Sequence, residues 1–279
     1  EICTTIKSIP RDQWEACRAS KASGDPFLSY DFFFLLESSN SVGPNTGWIP
    51  FYITFKEKNL VVGIIVSFLK NHSQGEYVFD HSWADAYQRS GANYYPKLQV
   101  AVPFTPVSGE RILVRPENEN QLDEMISSTK RILRKNNLSS LHITFCNNSF
   151  VNVAKKNSLL VREGIQYHWF NRDYKSFDEF LGSLTHRKRK NIIKERKQAN
   201  NFGGEIKSFT GSQLTDLELE SFWHFYQNTG QRKWGLPYLT KDFFMSLKKN
   251  LKDSILLVLA EKNGQYVAGA LNFIGSDCL

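Results

Sequence analysis

The chain has 279 residues, of which 41% are hydrophobic and 14% aromatic, and its formal net charge is +7. This length and apolar content predict two domains of roughly 150 residues each with buried cores. No apolar run reaches about 18 residues, which argues against a membrane-spanning helix. The first residues lack a basic region followed by an apolar core, so we expect no signal peptide.

The four cysteines, Cys3, Cys17, Cys146 and Cys278, are widely separated. They form no CxxC pair and have no histidine partner at metal-ligand spacing, so we expect no metal site. Scattered cysteines of this kind are typical of reduced thiols, which predicts a cytoplasmic protein.

Positive charge is concentrated in residues 186–197. Seven lysine and arginine side chains stand there against the single acid Glu195, an excess nearly equal to the whole net charge of +7. Such a patch attracts polyanions, and the candidates are tRNA, nucleotide phosphates and anionic lipid at a membrane surface. The alternative is a solvated helix face, which charge alone does not distinguish from a binding surface.

In the first part of the chain, hydrophobic periodicity and turn residues predict helices around a β-meander. Ser29 is expected to cap the second helix. The predicted helices are 10–20, 29–38, 83–89, 118–135 and 149–157. The predicted strands are 49–55, 60–69, 77–80, 97–102, 141–145 and 167–170. This arrangement predicts a mixed α/β domain covering residues 1–172.

A second domain, residues 173–279, is predicted to begin with a long basic helix. Ser176 and Glu179 match the S-x-x-E pattern of a capping box, and the helix is expected to continue to about Asn200. Strand 205–209, helices 214–229 and 240–251, and a hairpin of 254–260 with 266–273 follow.

Five long blocks of the sequence resemble one known family, the FemAB-like proteins of the GNAT acyltransferase superfamily. Those are bacterial proteins associated with peptidoglycan biosynthesis or recognition, and the resemblance covers essentially the whole chain. The blocks are GEYVFDHSWADAYQRSG (75–91), YYPKLQVAVPFTPVSGERIL (94–113), HRKRKNIIKERK (186–197), RKWGLPYLTKDFF (232–244) and VAGALNFIGSD (267–277).

The resemblance implies two acyl-CoA N-acyltransferase folds in tandem, with mixed, mainly antiparallel sheets flanked by helices. It also implies that the second fold is truncated here and is completed by residues after Leu279. Fem transferases use aminoacyl-tRNA to extend the peptide bridge of a cell-wall precursor, and they carry a similar basic helical segment. Residues 188–197 share its Lys-Asn-Ile core but have Glu195 where a small residue is expected, so a shared substrate does not follow.

Residues 72–107 are expected to form the wall of an acceptor site. Acyl transfer to an amine needs a base that deprotonates the amine and a hydrogen-bond donor that stabilises the carbonyl oxyanion. Asp85 and His81 are the candidate catalytic residues, because with Asp80 they lie close in sequence after a predicted strand end, where an α/β sheet usually places its chemistry. A carboxylate beside the aromatic rings of Trp83 and Tyr87 can have a raised pKa suited to proton transfer. The alternative is that Asp80 and Asp85 cap the short helix, which already explains Asp80.

The candidate substrate-binding residues are Trp83, Tyr87, Tyr94 and Lys97. Lys97 can pair with a phosphate or carboxylate of a substrate. An ion pair between Lys97 and Asp85 is an equally good structural explanation.

Donor phosphates are expected to bind the basic helix and a second basic-aromatic cluster. The candidate residues are Arg187, Lys188, Arg189, Lys190, Arg232 and Trp234. A GNAT pyrophosphate loop reads Q/R-x-x-G-x-G/A, and residues 88–93 and 232–237 both fail at its last position. Coenzyme A binding is therefore unsupported in this sequence. Trp234 has a rival role as a core anchor against Phe243 and Phe244.

These observations predict a cytoplasmic enzyme that moves an acyl or aminoacyl group to a primary amine, as the family resemblance implies for a cell-wall precursor. Acetyl-CoA and aminoacyl-tRNA are the candidate donors, with no metal or covalently bound cofactor. The alternative is a non-catalytic module on the same fold that recognises a peptidoglycan precursor or nucleic acid. The sequence does not indicate an oligomeric state.

Overall fold

The computed structural model describes residues 1–19, 21–233 and 235–279. Its α-helices are α1 (Arg11–Arg18), α2 (Tyr30–Ser38), α3 (His81–Arg89), α4 (Leu122–Lys135), α5 (Phe150–Lys156), α6 (Phe177–Gly182), α7 (His186–Asn200), α8 (Asp216–Arg232) and α9 (Lys241–Asn250). Its strands are β1 (Ile2–Cys3), β2 (Trp48–Pro50), β3 (Tyr52–Glu57), β4 (Leu60–Ile65), β5 (Ser67–Lys70), β6 (Lys97–Val100), β7 (Ile112–Val114), β8 (Leu141–Ile143), β9 (Glu205–Phe209), β10 (Ile255–Lys262) and β11 (Gln265–Phe273).

The strands form separate sheets with mainly antiparallel pairing. Within the described residues the sheet orders are β1-β3-β4-β7, β2-β5-β6-β8 and β11-β10-β9. The β6–β8 pair is parallel. Parallel neighbours need a crossover connection, and the chain between β6 and β8 includes the helix α4. The predicted mixed α/β class is confirmed. The tandem acyltransferase arrangement and the domain boundary at residue 172 stay predictions.

Helix starts follow the capping residues in the sequence. The Ser29 side chain accepts a hydrogen bond from the Phe32 amide, as predicted. Ser176 likewise accepts from the Glu179 amide, but the Glu179 carboxylate accepts from the Lys175 amide rather than from that of Ser176. These side chains satisfy amides that the first helical turn leaves without a partner.

The largest buried core is continuous between the two halves of the sequence. Phe32 on α2 lies 6.1 Å from Phe243 on α9 and 6.0 Å from Phe273 on β11, measured between ring centroids. The Thr240 hydroxyl donates a hydrogen bond to the Ser39 carbonyl at 2.9 Å. Burial of these aromatic rings holds the C-terminal helices and hairpin against the N-terminal helices.

Three predicted elements are wrong. Residues 77–80 do not form a strand, since Tyr77 has a φ of 55° and cannot continue extended backbone. Residues 167–170 are exposed and lack strand pairing in the described structure. The long basic helix is two helices, α6 and α7, separated by residues 183–185.

Among the described helices, none combines the length and the apolar character that crossing a bilayer requires.

Candidate functional site

One face of the β2-β5-β6-β8 sheet carries polar side chains in a row. Lys70 on β5 pairs in register with Lys97 on β6, and Gln99 on β6 pairs with His142 on β8. Paired residues of neighbouring strands point to the same face, and so do residues two apart on one strand. The sheet register therefore brings two lysines, a glutamine and a histidine together.

Lys97 is the centre of this polar cluster. Its side chain is 0% exposed, and its ammonium donates to Asp80 at 2.6 Å, Glu76 at 2.8 Å and the Ser73 hydroxyl at 3.0 Å. The predicted ion pair between Lys97 and Asp85 is wrong, because both carboxylates that Lys97 contacts lie before α3. A buried ammonium needs such partners to offset the loss of hydration.

Asp80 occupies the N-cap position of α3, but its side chain makes no capping hydrogen bond. Its Oδ2 instead accepts hydrogen bonds from the Tyr94 hydroxyl at 2.7 Å and from Lys97. Capping was therefore the wrong explanation for this carboxylate. Burial raises the pKa of Asp80, but hydrogen bonds from Lys97 and Tyr94 outweigh it, and the pKa lies below its usual value.

Three buried acceptor oxygens of the cluster have no hydrogen-bond donor among the described residues. They are Glu76 Oε1, Asp80 Oδ1 and Gln99 Oε1. Buried polar atoms are normally paired, and an unpaired one costs roughly 1–3 kcal/mol. Three of them in one cluster indicate a place that favours hydrogen-bond donors.

Lys70 has a different environment from Lys97. Its side chain is buried, and its ammonium nitrogen lies 3.9 Å from the Trp48 ring centroid and 3.2 Å from the Gln74 carbonyl oxygen. Burial lowers the pKa of Lys70 to about 7, with Lys97 also lowering it and the carboxylates of Glu76 and Asp80 opposing the shift.

His142 closes the cluster at β8. Its Nδ1 lies 4.0 Å from Asp80 Oδ2. Burial and the charge of Lys97 lower the pKa of His142 to about 4, against the opposing effect of Asp80, so the ring is neutral near pH 7. The Tyr94 ring packs edge-on against both His142 and Tyr87, with centroids 5.8 and 5.4 Å away.

Helix α3 begins directly after Asp80, and none of its own residues is buried. The predicted residues Asp85 and His81 are exposed on it, Trp83 is 57% exposed and Tyr87 is 40% exposed. Of the predicted acceptor residues, only Tyr94 and Lys97 belong to the buried cluster. Trp83 and Tyr87 lie at its rim, and Tyr87 reaches it through Tyr94.

Two aromatic residues near the cluster have left-handed backbone. Tyr77 and Phe104 have φ values of 55° and 63°, in the left-handed region that bulky residues rarely adopt. Phe104 packs against Trp48 and stacks on Tyr238 with ring centroids 5.1 Å apart. Residues held in such conformations are common at functional sites.

The predicted donor-phosphate residues lie on other elements. Helix α7 has no buried residue, and Arg187, Lys188 and Lys190 are exposed. Arg189 instead donates to the carbonyls of residues 181, 182 and 184, at the end of α6. Arg232 is exposed at the end of α8, and Trp234 lies outside the described residues.

An open groove lies between α6 and α7. Its volume is about 590 Å³, and the Arg196 guanidinium lies 4.1 Å from the ring centroid of Phe177 on its wall. The described contacts do not join α7 to the buried cluster. The geometry therefore brings Tyr94 and Lys97 of the predicted acceptor site together, but it does not bring the predicted donor-phosphate residues to them.

Sequence reasoning missed Glu76, Lys70, Gln99 and His142. A signal was present in two of them, since Lys70 ends the apolar run of β5 and Gln99 alternates with Lys97 on the buried β6. Polar residues at inward positions of a buried strand require partners. The sequence did not reveal the β6–β8 register that adds His142.

Comparison with known protein families identifies the family of this chain. No curated protein matches the chain. The profile of the FemAB-like family, described as peptidoglycan biosynthesis/recognition, matches residues 5–279. The match includes the whole buried cluster and both halves of the sequence, and the predicted family is confirmed. The chain belongs to the FemAB-like family and has a peptidoglycan-related role.

Proposed function

We propose that this protein transfers an acyl or aminoacyl group to a primary amine of a peptidoglycan precursor, and that the buried cluster holds that amine. The observation that carries the proposal is the pair of unpaired carboxylate oxygens, Glu76 Oε1 and Asp80 Oδ1. An ionised carboxylate accepts hydrogen bonds and donates none, so it selects a group rich in N–H donors.

A primary ammonium fits these surroundings. It supplies N–H donors and a positive charge, and the rings of Tyr94 and Tyr95, which lie 5.2 and 5.7 Å from the Lys97 ammonium, favour a cation nearby. Lys97 keeps the carboxylate of Asp80 ionised, which preserves its attraction for an ammonium.

The cluster is closed to solvent, and we propose that α3, which begins directly after Asp80, moves to admit the substrate. Asp80 is 2% exposed and Lys97 is 0% exposed. Since α3 buries none of its own residues, displacing it exposes little apolar surface and costs little free energy. Trp83 and Tyr87 would then contact the arriving substrate, as their rim positions suggest.

The roles of Asp85 and His81 are proposed accordingly. Both are exposed on α3, and they would contact the substrate during entry rather than hold the reacting amine. Acetyl-CoA and aminoacyl-tRNA remain the proposed donors. Their phosphates would bind the exposed cations of α7, with Arg232 as a second contact.

The test is transfer to a soluble precursor peptide that has one free primary amine. The intact protein is incubated with this peptide and each donor in turn, and mass spectrometry detects the added group. We expect transfer by the wild type and by Asp85→Asn, and a loss of about 10²-fold or more in Asp80→Asn. Full activity in Asp80→Asn would contradict the assignment of the cluster. Binding of the peptide without transfer from either donor would favour the recognition module.

A further inference from the structure

Lys70 is a buried amine that has no carboxylate partner among the described residues. Within the described chain, the ion pairs of Glu76 and Asp80 within 4.0 Å go to Lys97 and His142, and none joins Lys70. Its contacts are a carbonyl oxygen and the face of the Trp48 ring. The two lysines are register neighbours on β5 and β6, yet only one of them has the anions that a buried ammonium needs.

The surroundings of Lys70 therefore favour its neutral form. A buried ammonium without a counter-ion is costly, so the neutral amine is favoured at Lys70. Its charged neighbours are Lys97, Glu76 and Asp80, and His72 lies next to it. With its pKa at about 7, Lys70 is a neutral amine in a large fraction of molecules near neutral pH.

We propose that Lys70 is the proton acceptor of the transfer reaction, taking a proton from the substrate ammonium that Glu76 and Asp80 hold. This inference rests on the proposed function. The N–H bond of the ammonium breaks, its electron pair stays on the substrate nitrogen, and the proton forms a new N–H bond on Lys70 Nζ. The freed amine then attacks the carbonyl carbon of the donor, whose leaving group departs with the electron pair of the broken acyl bond. The second proton of the attacking nitrogen passes to that leaving group.

Asp80 and His142 are poorer proton acceptors at neutral pH, whereas burial raises the pKa of Glu76 against the opposing effect of Lys97. Asp80 has a pKa below the usual value for an aspartate, and His142 has a pKa of about 4. A general base works best when its pKa lies near the working pH. The carboxylates would hold the ammonium, and a separate neutral amine beside them would remove the proton.

The first test measures the charge of Lys70 directly. Lysines of the intact protein are labelled with ¹³C at Cε, and their NMR shifts are followed from pH 5 to pH 11. We expect one resonance to titrate near pH 7 and to be missing in Lys70→Met, while Lys155→Met, at an exposed site, keeps it. Titration of every lysine near pH 10 would overturn the proposal whatever the enzyme activity.

The second test separates binding from proton transfer. Lys70→Met should bind the precursor peptide with an unchanged Kd and lose about 10²–10⁴-fold in kcat, the usual contribution of a general base. The wild-type kcat/KM should fall below pH 7, and this fall should be absent from the residual activity of the variant. Lys70→Arg should stay inactive, because a guanidinium does not deprotonate.

The two proposals can fail separately. Wild-type levels of transfer by Lys70→Met, with the same loss below pH 7, would overturn the role of Lys70 and leave the proposed function standing. Absence of transfer by the wild type would overturn both.

Discussion

At the level of single residues, Lys97 and its two carboxylates depend on one another. All three side chains are at most 4% exposed, so each charge is stable only while the others are present. Such a buried ion group adds little net stability compared with apolar residues, but removing one member leaves the others without a partner.

We predict that Lys97→Met lowers the free energy of unfolding by about 3–5 kcal/mol, the usual cost of breaking a buried ion pair from one side. Urea denaturation followed by circular dichroism measures this. Lys155→Met, at an exposed site, should change stability by less than about 0.5 kcal/mol. Equal stability of the two variants would show that the cluster is hydrated in solution.

Lys70 gives the stability a pH dependence of known sign. Its pKa is about 7 in the folded protein and about 10.4 in an unfolded chain, so the unfolded state binds more protons between these values. Stability should therefore rise as the pH increases from about 7 to about 10. Urea titrations at a series of pH values should show this rise in the wild type and a smaller one in Lys70→Met. Identical pH profiles would contradict the lowered pKa.

The sequence could predict some of these residues but not their partners. Tyr94 and Lys97 were recognised because they lie in a stretch rich in aromatic and charged residues. The pairing of Lys97 with Glu76 and Asp80 depends on a loop in which Tyr77 has left-handed backbone, and periodicity gives no sign of that. His142 reaches the cluster through the parallel β6–β8 pairing, 45 positions after Lys97 in the chain.

At the level of elements, Arg189 explains why the basic segment is two helices. Its guanidinium donates to the carbonyls of Leu181, Gly182 and Leu184, at and just after the end of α6, where carbonyls run out of helical partners. The charge pattern suggested a phosphate-binding arginine, but the contacts give it a structural role. Its neighbours Arg187, Lys188 and Lys190 remain available to a polyanion.

We predict that Arg189→Gln lowers the free energy of unfolding by roughly 1–3 kcal/mol, because charged hydrogen bonds to these carbonyls are lost. The matched variant Lys188→Gln should leave stability nearly unchanged, since Lys188 is exposed. Both can be measured by urea denaturation. A larger loss in Lys188→Gln than in Arg189→Gln would contradict the capping role.

Helices were the best predicted elements and short strands the worst. Helices α2, α4 and α9 have clear caps or apolar stripes, and their positions agree with the structure to within a few residues. The apolar residues 167–170 look like a strand, but a strand needs a pairing partner, and none of the described strands pairs with them. Local sequence does not report such partners.

At the level of the whole molecule, the two halves of the sequence share one core. Phe243 on α9 is 1% exposed and packs edge-on against Phe32 of α2. This contact joins residues more than 200 positions apart, so it should couple the unfolding of both halves.

We predict that Phe243→Ala lowers the free energy of unfolding by about 3–5 kcal/mol, the usual cost of emptying a buried aromatic site. Leu236→Ala, at a residue that is 87% exposed, should have little effect. The midpoints of thermal unfolding measured by fluorescence and by circular dichroism should shift together to lower temperature in Phe243→Ala. Two separate thermal transitions, of which only one moves to lower temperature in Phe243→Ala, would indicate that the halves unfold independently.

Glu76 and Asp80 are proposed to hold a primary ammonium of a peptidoglycan precursor. Calorimetric titration tests it most directly, with a soluble precursor peptide that has a free amine and the same peptide acetylated on that amine. We expect the free amine to bind at least about tenfold more tightly, and we expect Asp80→Asn to lose this difference while Asp85→Asn keeps it. Equal affinity of the wild type for the two peptides would contradict it.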